Sequence, residues 1–138
     1  MTKVLLIPVF IQVLLTLSLV LMVARERVAA VKSGAVRMKD VALPSGPWPD
    51  RARQLAACYE NQLELPTLFY ALVALALATG KADALLAAAA WAFVATRLGH
   101  AYIHTTSNYV PRRFKLFAAG VTILALAWIY FAARVLLA

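Results

Sequence analysis

Long apolar runs dominate the chain, and most of its charged residues lie between them. A helix needs about 20 residues to cross the hydrocarbon core of a bilayer, and four runs reach that length: residues 4–24, 55–79, 84–106 and 114–133. The first run has 21 uncharged residues, more than the roughly 7–15 of a signal-peptide core, so we expect a retained membrane anchor. The pattern predicts an all-α, integral membrane four-helix bundle that forms a single domain over residues 1–138.

The composition agrees with a membrane protein and argues against nucleic-acid binding. Hydrophobic residues make up 64% of the chain and charged residues only 14%, whereas soluble domains carry about 25% charged residues. The net charge of +8 is divided among short segments beside the apolar runs and does not form one basic face. Anionic lipid headgroups are therefore the expected partners of these charges, and no nucleic acid is expected.

The distribution of basic residues between the two sides predicts the orientation. The connection 25–53 carries seven of them, and the third connection adds Arg112, Arg113 and Lys115, whereas the opposite side has only Lys3, Lys81 and Arg134. Under the positive-inside rule, the connection 25–53 lies in the cytoplasm. We therefore expect four spans with both termini outside.

Polar side chains recur at helical spacing in the second and third runs. Asn61 and Glu64 are three residues apart, and Arg97, His100 and His104 occupy one narrow arc of a helix. Both groups lie toward the predicted cytoplasmic ends of their spans. Because charges within a bilayer are costly and normally face a partner inside the bundle, we expect Glu64 to pair with Arg97.

Two interpretations of these polar residues stay open. In the first, Glu64 and Arg97 form a structural ion pair and nothing more. In the second, the polar residues join Arg112 and Arg113 in a mostly cationic pocket that opens to the cytoplasm. Such a pocket would bind an anionic, water-soluble ligand, and its apolar walls would admit a lipophilic ligand from the bilayer.

Other chemistries fit the sequence less well. His100 and His104 have the i, i+4 spacing of metal ligands on a helix, but nearby arginines oppose a cation and the glutamate of HExxH is missing, so we expect no metal. A proton relay through Glu64 and the two histidines would need more acidic residues in the spans. A small transporter or channel component is a further alternative.

Two short motifs resemble signatures of the MAPEG family, the membrane-associated proteins of eicosanoid and glutathione metabolism. They are NQLELP at 61–66 and RLGHAYIH at 97–104, the second followed by VPRR at 110–113. The resemblance implies a homotrimer of four-helix subunits, with glutathione bound as co-substrate between neighbouring subunits near the cytoplasmic face.

The resemblance also implies roles for individual residues. Asn61 and Glu64 match family positions that hold glutathione, and Arg97 and His100 match the Arg-x-x-His of the third helix. His104 stands where many members have a tyrosine that contacts the thiol or substrate. Arg113 matches the arginine that lies beside the glutathione thiol, with Arg112 as the alternative. Arg25 or Arg27, at the end of the first helix, would bind a glutathione carboxylate.

These residue types suit glutathione chemistry. Arginines bind carboxylates well, and a neighbouring guanidinium lowers the pKa of a thiol from about 8.5 toward neutrality. The expected enzyme conjugates glutathione to a lipophilic electrophile or reduces a lipid hydroperoxide. The alternative is a non-catalytic relative that binds a different anionic or lipid ligand.

Overall fold

The computed structural model describes residues 1–43 and 45–137, and the regular elements in these ranges are all helices. They are α1 (Thr2–Lys32), a short 3-10 helix (Met38–Val41), α2 (Asp50–Glu60), α3 (Leu65–Ala78), α4 (Ala84–Thr105) and α5 (Val110–Leu136). Four segments are long and apolar enough to cross a membrane: α1, α2 with α3, α4, and α5. The predicted all-α class with four membrane-spanning segments is confirmed.

The second span is broken between α2 and α3. Residues 61–64 form turns, and Pro66 lies in the first turn of α3. Proline has no N–H, and its ring clashes with the carbonyl of the residue four positions earlier, so a continuous helix cannot pass through this point. The N–H groups of Gln62 and Leu63 bond instead to carbonyls three residues earlier. The break leaves the carbonyl oxygen of Asn61 free to accept a hydrogen bond from another helix.

The main apolar core joins α3, α4 and α5, and Leu5 of α1 packs against it. At its centre the rings of Phe69 and Phe93 lie 4.9 Å apart. A second, smaller cluster of Leu19, Cys58 and Ala101 joins α1, α2 and α4. Since α4 contributes to both clusters, it is the central helix, and its polar residues are held inside the bundle.

Helices α4 and α5 approach closely at Gly120. A Cβ atom there would lie 2.8 Å from the hydroxyl oxygen of Thr96, which donates its hydrogen to the carbonyl of Phe93 over 2.7 Å. Small residues permit this kind of contact between membrane helices.

A polar clamp of Asp83, Tyr130 and Arg134 closes the other end of this helix pair. Asp83 caps α4 by accepting the N–H of Leu86 over 2.9 Å, accepts the hydroxyl of Tyr130 over 2.6 Å, and pairs with Arg134. Desolvation alone would raise the pKa of the Asp83 carboxyl. The hydrogen bonds from Leu86 and Tyr130 and the charge of Arg134 together hold this pKa below its ordinary value.

The clamp predicts a pH dependence of stability. The folded-state pKa of Asp83 lies below its unfolded value. The contribution of the Asp83 charge to the free energy of unfolding is therefore complete above about pH 4 and is lost as the pH falls through the folded-state pKa. Asp83→Asn keeps a capping oxygen but removes the charge. We expect this variant to unfold at a lower temperature than the wild type near neutrality, and the difference to shrink under acid. A difference that stays constant from about pH 7 to pH 3 would contradict the clamp.

The close contact at Gly120 predicts a substitution effect that depends on Thr96. Replacing a helical glycine by alanine normally stabilises a helix by about 0.5–1 kcal/mol, but Gly120→Ala would press against the Thr96 hydroxyl and should lower the unfolding midpoint. In a Thr96→Ala background the same change should raise the midpoint. The buried Cys58, the one cysteine of the chain, reports unfolding through its reaction with a thiol dye. Equal effects in both backgrounds would refute the contact.

Candidate functional site

The buried polar residues centre on Arg97, whose side chain is completely enclosed. Its Nη2 donates to the carbonyl oxygen of Asn61 over 3.2 Å and to Oε1 of Gln62 over 3.5 Å. The same Oε1 accepts Nε2 of Gln12 over 3.0 Å, and Nε2 of Gln62 donates to the carbonyl of Cys58 over 3.0 Å. We call Gln12, Gln62 and Arg97 the glutamine–arginine network. It ties α1, α4 and the break of the second span together.

The expected ion pair between Glu64 and Arg97 is wrong. Glu64 is exposed, and among the described residues no salt bridge within 4.0 Å joins it to Arg97. The expectation assumed an unbroken helix through residues 61–64, but the helix ends at Glu60 and residues 61–64 form turns. The guanidinium therefore contacts neutral amide and carbonyl oxygens instead of a carboxylate.

The sequence interpretation missed Gln12 and Gln62, both of which are fully buried. Gln12 lies in the middle of the first apolar run, and a polar side chain at such a position normally faces the protein interior. That signal was available in the sequence. Gln62 could not be assigned, because its direction depends on the turn that ends α2.

A cleft beside the break brings three of the predicted site residues together. Asn61, His100 and Arg113 line it with Val110, Phe114 and Phe117, and its volume is about 190 Å³. Arg113 lies in the first turn of α5, where its Nη1 donates to Oδ1 of Asn108 over 2.6 Å. Asn108 adopts a left-handed conformation with φ of 50°, which asparagine tolerates well, and this turn leads the chain into α5.

The two histidines lie next to each other on α4, and both are buried. Their ring centroids are 5.6 Å apart in an edge-to-face arrangement, and the ring of His100 lies 6.1 Å from that of Phe117. Within the described part of the chain, neither ring nitrogen of His100 has a hydrogen-bond partner. Among those same residues, no group of three or more His, Cys, Asp or Glu side chains is placed to hold a metal ion.

Two side chains of α2 fix the end of α4 near the cleft. Arg51 donates from Nη1 to the carbonyl of Thr105 over 2.5 Å, and Gln54 donates from Nε2 to the carbonyl of His104 over 2.6 Å. The last carbonyls of a helix have no partner within it and carry a partial negative charge. Arg51 and Gln54 satisfy two of them and hold the histidine-bearing turn in place.

Like Arg97 and His104, the four remaining predicted site residues lie outside the cleft lining. Arg112 is exposed and stacks over Tyr109 at 5.8 Å, and Glu64 is exposed at the start of α3. Arg25 is exposed on α1, and Arg27 lies 4.9 Å from the ring centroid of Trp48. Their contacts with glutathione stay predictions.

Comparison with known proteins identifies a family. The model of the MAPEG family matches residues 5–133, a stretch that includes the cleft lining and the glutamine–arginine network. No curated protein and no solved structure matches the chain.

The glutamine–arginine network predicts that Gln62 matters more to stability than Gln12. Gln62→Leu would remove an acceptor from both Arg97 and Gln12 and a donor from the Cys58 carbonyl, so we expect a loss of about 2–4 kcal/mol in the free energy of unfolding. Gln12→Leu should cost about 1–2 kcal/mol, because it removes only one hydrogen bond to Gln62. Denaturant unfolding followed at Cys58 measures both. If Gln12→Leu lowered the free energy of unfolding as much as Gln62→Leu, the result would contradict the glutamine–arginine network.

Proposed function

The chain belongs to the MAPEG family, and from this we propose that it is a glutathione-dependent membrane enzyme. Its four membrane-spanning segments make it an integral multi-pass membrane protein. The observation that carries the proposal is the cleft that places Asn61, His100 and Arg113 side by side. These residues come from three different elements, the break, α4 and α5.

Charge at the cleft suits an anionic ligand. Arg113 lines the cleft, and Arg97 reaches the carbonyl of Asn61 from inside the bundle. The nearest acidic residues in the sequence, Glu60 and Glu64, are both exposed. Glutathione carries two carboxylates, which guanidinium groups bind strongly. In this proposal Asn61 binds the peptide part, and Arg113 lies beside the thiol.

Arg113 supplies the chemistry through its charge. A guanidinium beside the thiol favours the thiolate, which is the nucleophilic form. In conjugation, the thiolate sulfur forms a bond to carbon of the electrophile and the leaving group departs. In peroxide reduction, sulfur attacks the O–O bond and yields an alcohol and glutathione sulfenic acid. A second glutathione then converts the sulfenic acid to a disulfide and water.

His100 is the second polar group at the reacting end. A neutral imidazole can donate one hydrogen bond and accept another, and its nitrogens are not used within the described part of the protein. We assign His100 to orient the thiol. His104 stacks edge-to-face against it and positions the ring.

The apolar side of the cleft would receive the lipophilic substrate. Val110, Phe114 and Phe117 form this side, and Val110 and Phe114 are exposed in the isolated chain. We propose that the chain forms a homotrimer in which a neighbouring subunit covers this side and contributes a carboxylate-binding arginine. The predicted orientation, with the cleft facing the cytoplasm, would expose it to soluble glutathione.

Calorimetric binding of glutathione to the detergent-purified protein tests the proposal, with Asn61→Ala and Arg113→Ala as site variants. Each should weaken binding about 10-fold or more, since hydrogen bonds to charged groups contribute about 1.5–3 kcal/mol. Arg112→Ala separates the two alternatives for the thiol-side arginine, because it removes the same charge from the adjacent, exposed position and should keep nearly full affinity if Arg113 is the residue that contacts glutathione. Absence of binding by the folded wild type would rule out glutathione as the ligand.

Turnover separates an enzyme from a non-catalytic relative that binds a different anionic or lipid ligand. Wild-type protein should conjugate glutathione to an aryl halide or reduce a lipid hydroperoxide. Arg113→Ala should reduce kcat by about 10²-fold or more, with the oligomer intact by size-exclusion chromatography. Glutathione binding without turnover on either substrate class would favour the non-catalytic alternative.

A further inference from the structure

The turn between α4 and α5 places Asn108 between the end of one helix and the first turn of the next. Its backbone N–H donates to the carbonyl of Ile103 over 2.7 Å, which satisfies one of the last carbonyls of α4. Its side-chain oxygen accepts Nη1 of Arg113 over 2.6 Å. Asn108 therefore contacts α4 through its backbone and the cleft arginine through its side chain.

Few residue types can make both contacts. Asn108 has a φ of 50°, a left-handed conformation that glycine, asparagine and aspartate adopt more readily than other residues. Glycine has no side chain to hold Arg113. Aspartate offers an acceptor of the same shape, but its negative charge would neutralise the guanidinium. Of these three, only asparagine combines the backbone conformation, the acceptor and a neutral side chain.

The neutral contact leaves the charge of Arg113 available at the cleft. A guanidinium has five N–H donors, and Asn108 accepts from one of them. Among the described residues, no carboxylate lies within 4.0 Å of Arg113. Arg113 is half-buried and lines the cleft with Asn61 and His100. Its other N–H groups and its whole charge therefore remain for a ligand.

We propose that Asn108 is a positioning residue, which holds Arg113 at the cleft by a neutral hydrogen bond so that its charge acts on a thiolate. This assignment rests on the proposed function and deepens it, since it names what keeps the thiol-side arginine in place. Without the contact, the guanidinium would turn toward water, because an arginine side chain has many rotamers. With a carboxylate at position 108, the guanidinium would stay in place but its charge would be offset.

A cysteine introduced into the cleft measures the charge of Arg113 there without glutathione. Val110 lines the cleft, is exposed, and lies three residues before Arg113 on the same face of α5. In Val110→Cys, iodoacetamide reacts with the thiolate form, so the reaction rate against pH gives the pKa of the new thiol. The natural Cys58 is completely buried in the folded protein and does not compete. The start of α5 and the other charged groups act on the new thiol in every variant alike.

Arg113→Gln in the Val110→Cys background sets the scale, and it should raise the pKa of the new thiol by about one pH unit. Asn108→Asp and Asn108→Gly should each raise it by at least about half as much, the first by offsetting the charge and the second by releasing the side chain. Both variants tolerate the left-handed backbone and should keep the fold. Ser107→Asp, the matched control, adds a negative charge at the adjacent exposed position and should raise the pKa by less than about a quarter as much, because water and salt screen it.

Turnover with glutathione tests the consequence for the proposed reaction. Near pH 6.5, Asn108→Asp without the added cysteine should lower kcat by about 3–10-fold, which corresponds to a rise of about 0.5–1 in the pKa of the bound thiol. The loss should shrink above about pH 9, where the thiol ionises without help. A loss that is equal at every pH would mean that Asn108 has only a structural role.

Three results with the new thiol would overturn the assignment. If Arg113→Gln left its pKa unchanged, the charge of Arg113 would not act in the cleft. If Arg113→Gln raised the pKa and neither Asn108 variant did, another group would hold the arginine. If Ser107→Asp matched Asn108→Asp, general charge and not the contact would be responsible. Failure of the wild type to bind glutathione would refute the proposed function alone, because the new thiol decides the role of Asn108 without glutathione.

Discussion

The enclosed guanidinium of Arg97 is the constraint on which the rest of this structure depends. A cation inside a bilayer costs several kcal/mol unless polar groups surround it. Here the acceptors are the carbonyl of Asn61 and the amide oxygen of Gln62. The Asn61 carbonyl can accept this bond because α2 ends one residue earlier. The break in the second span and the buried arginine on α4 therefore stabilise each other.

The same constraint positions the cleft. Gln12 fixes the register of α1 against the break through its bond to Gln62, and Arg97 holds the Asn61 backbone against α4. His100 follows one helical turn after Arg97, so it emerges beside Asn61. Arg113 completes the group because the left-handed Asn108 starts α5 next to the end of α4. A polar network of structural origin thus brings the residues of the proposed binding site together.

The sequence predicts the architecture well because bilayer thickness sets the length of each apolar run. Through family resemblance it also predicts Asn61, His100 and Arg113 as site residues, and these three line one cleft. It does not identify the partner of Arg97, because helical spacing places Glu64 on the same face as Asn61 only if the helix continues past Asn61. It leaves Arg112 and Arg113 as alternatives, because adjacent residues on a helix differ in direction by about 100°. The contact with Asn108 and the start of α5 turn Arg113 toward the cleft.

In the proposed enzyme, the cleft holds a glutathione thiol beside the positive charge of Arg113. The ultraviolet difference spectrum of bound glutathione measures this directly, because a thiolate absorbs where a thiol does not. Titrated from about pH 5 to pH 9, the bound thiol should ionise well below its free pKa of about 8.5, and Arg113→Gln should return the midpoint toward that value. Bound glutathione that titrates like free glutathione in the wild type would contradict the account.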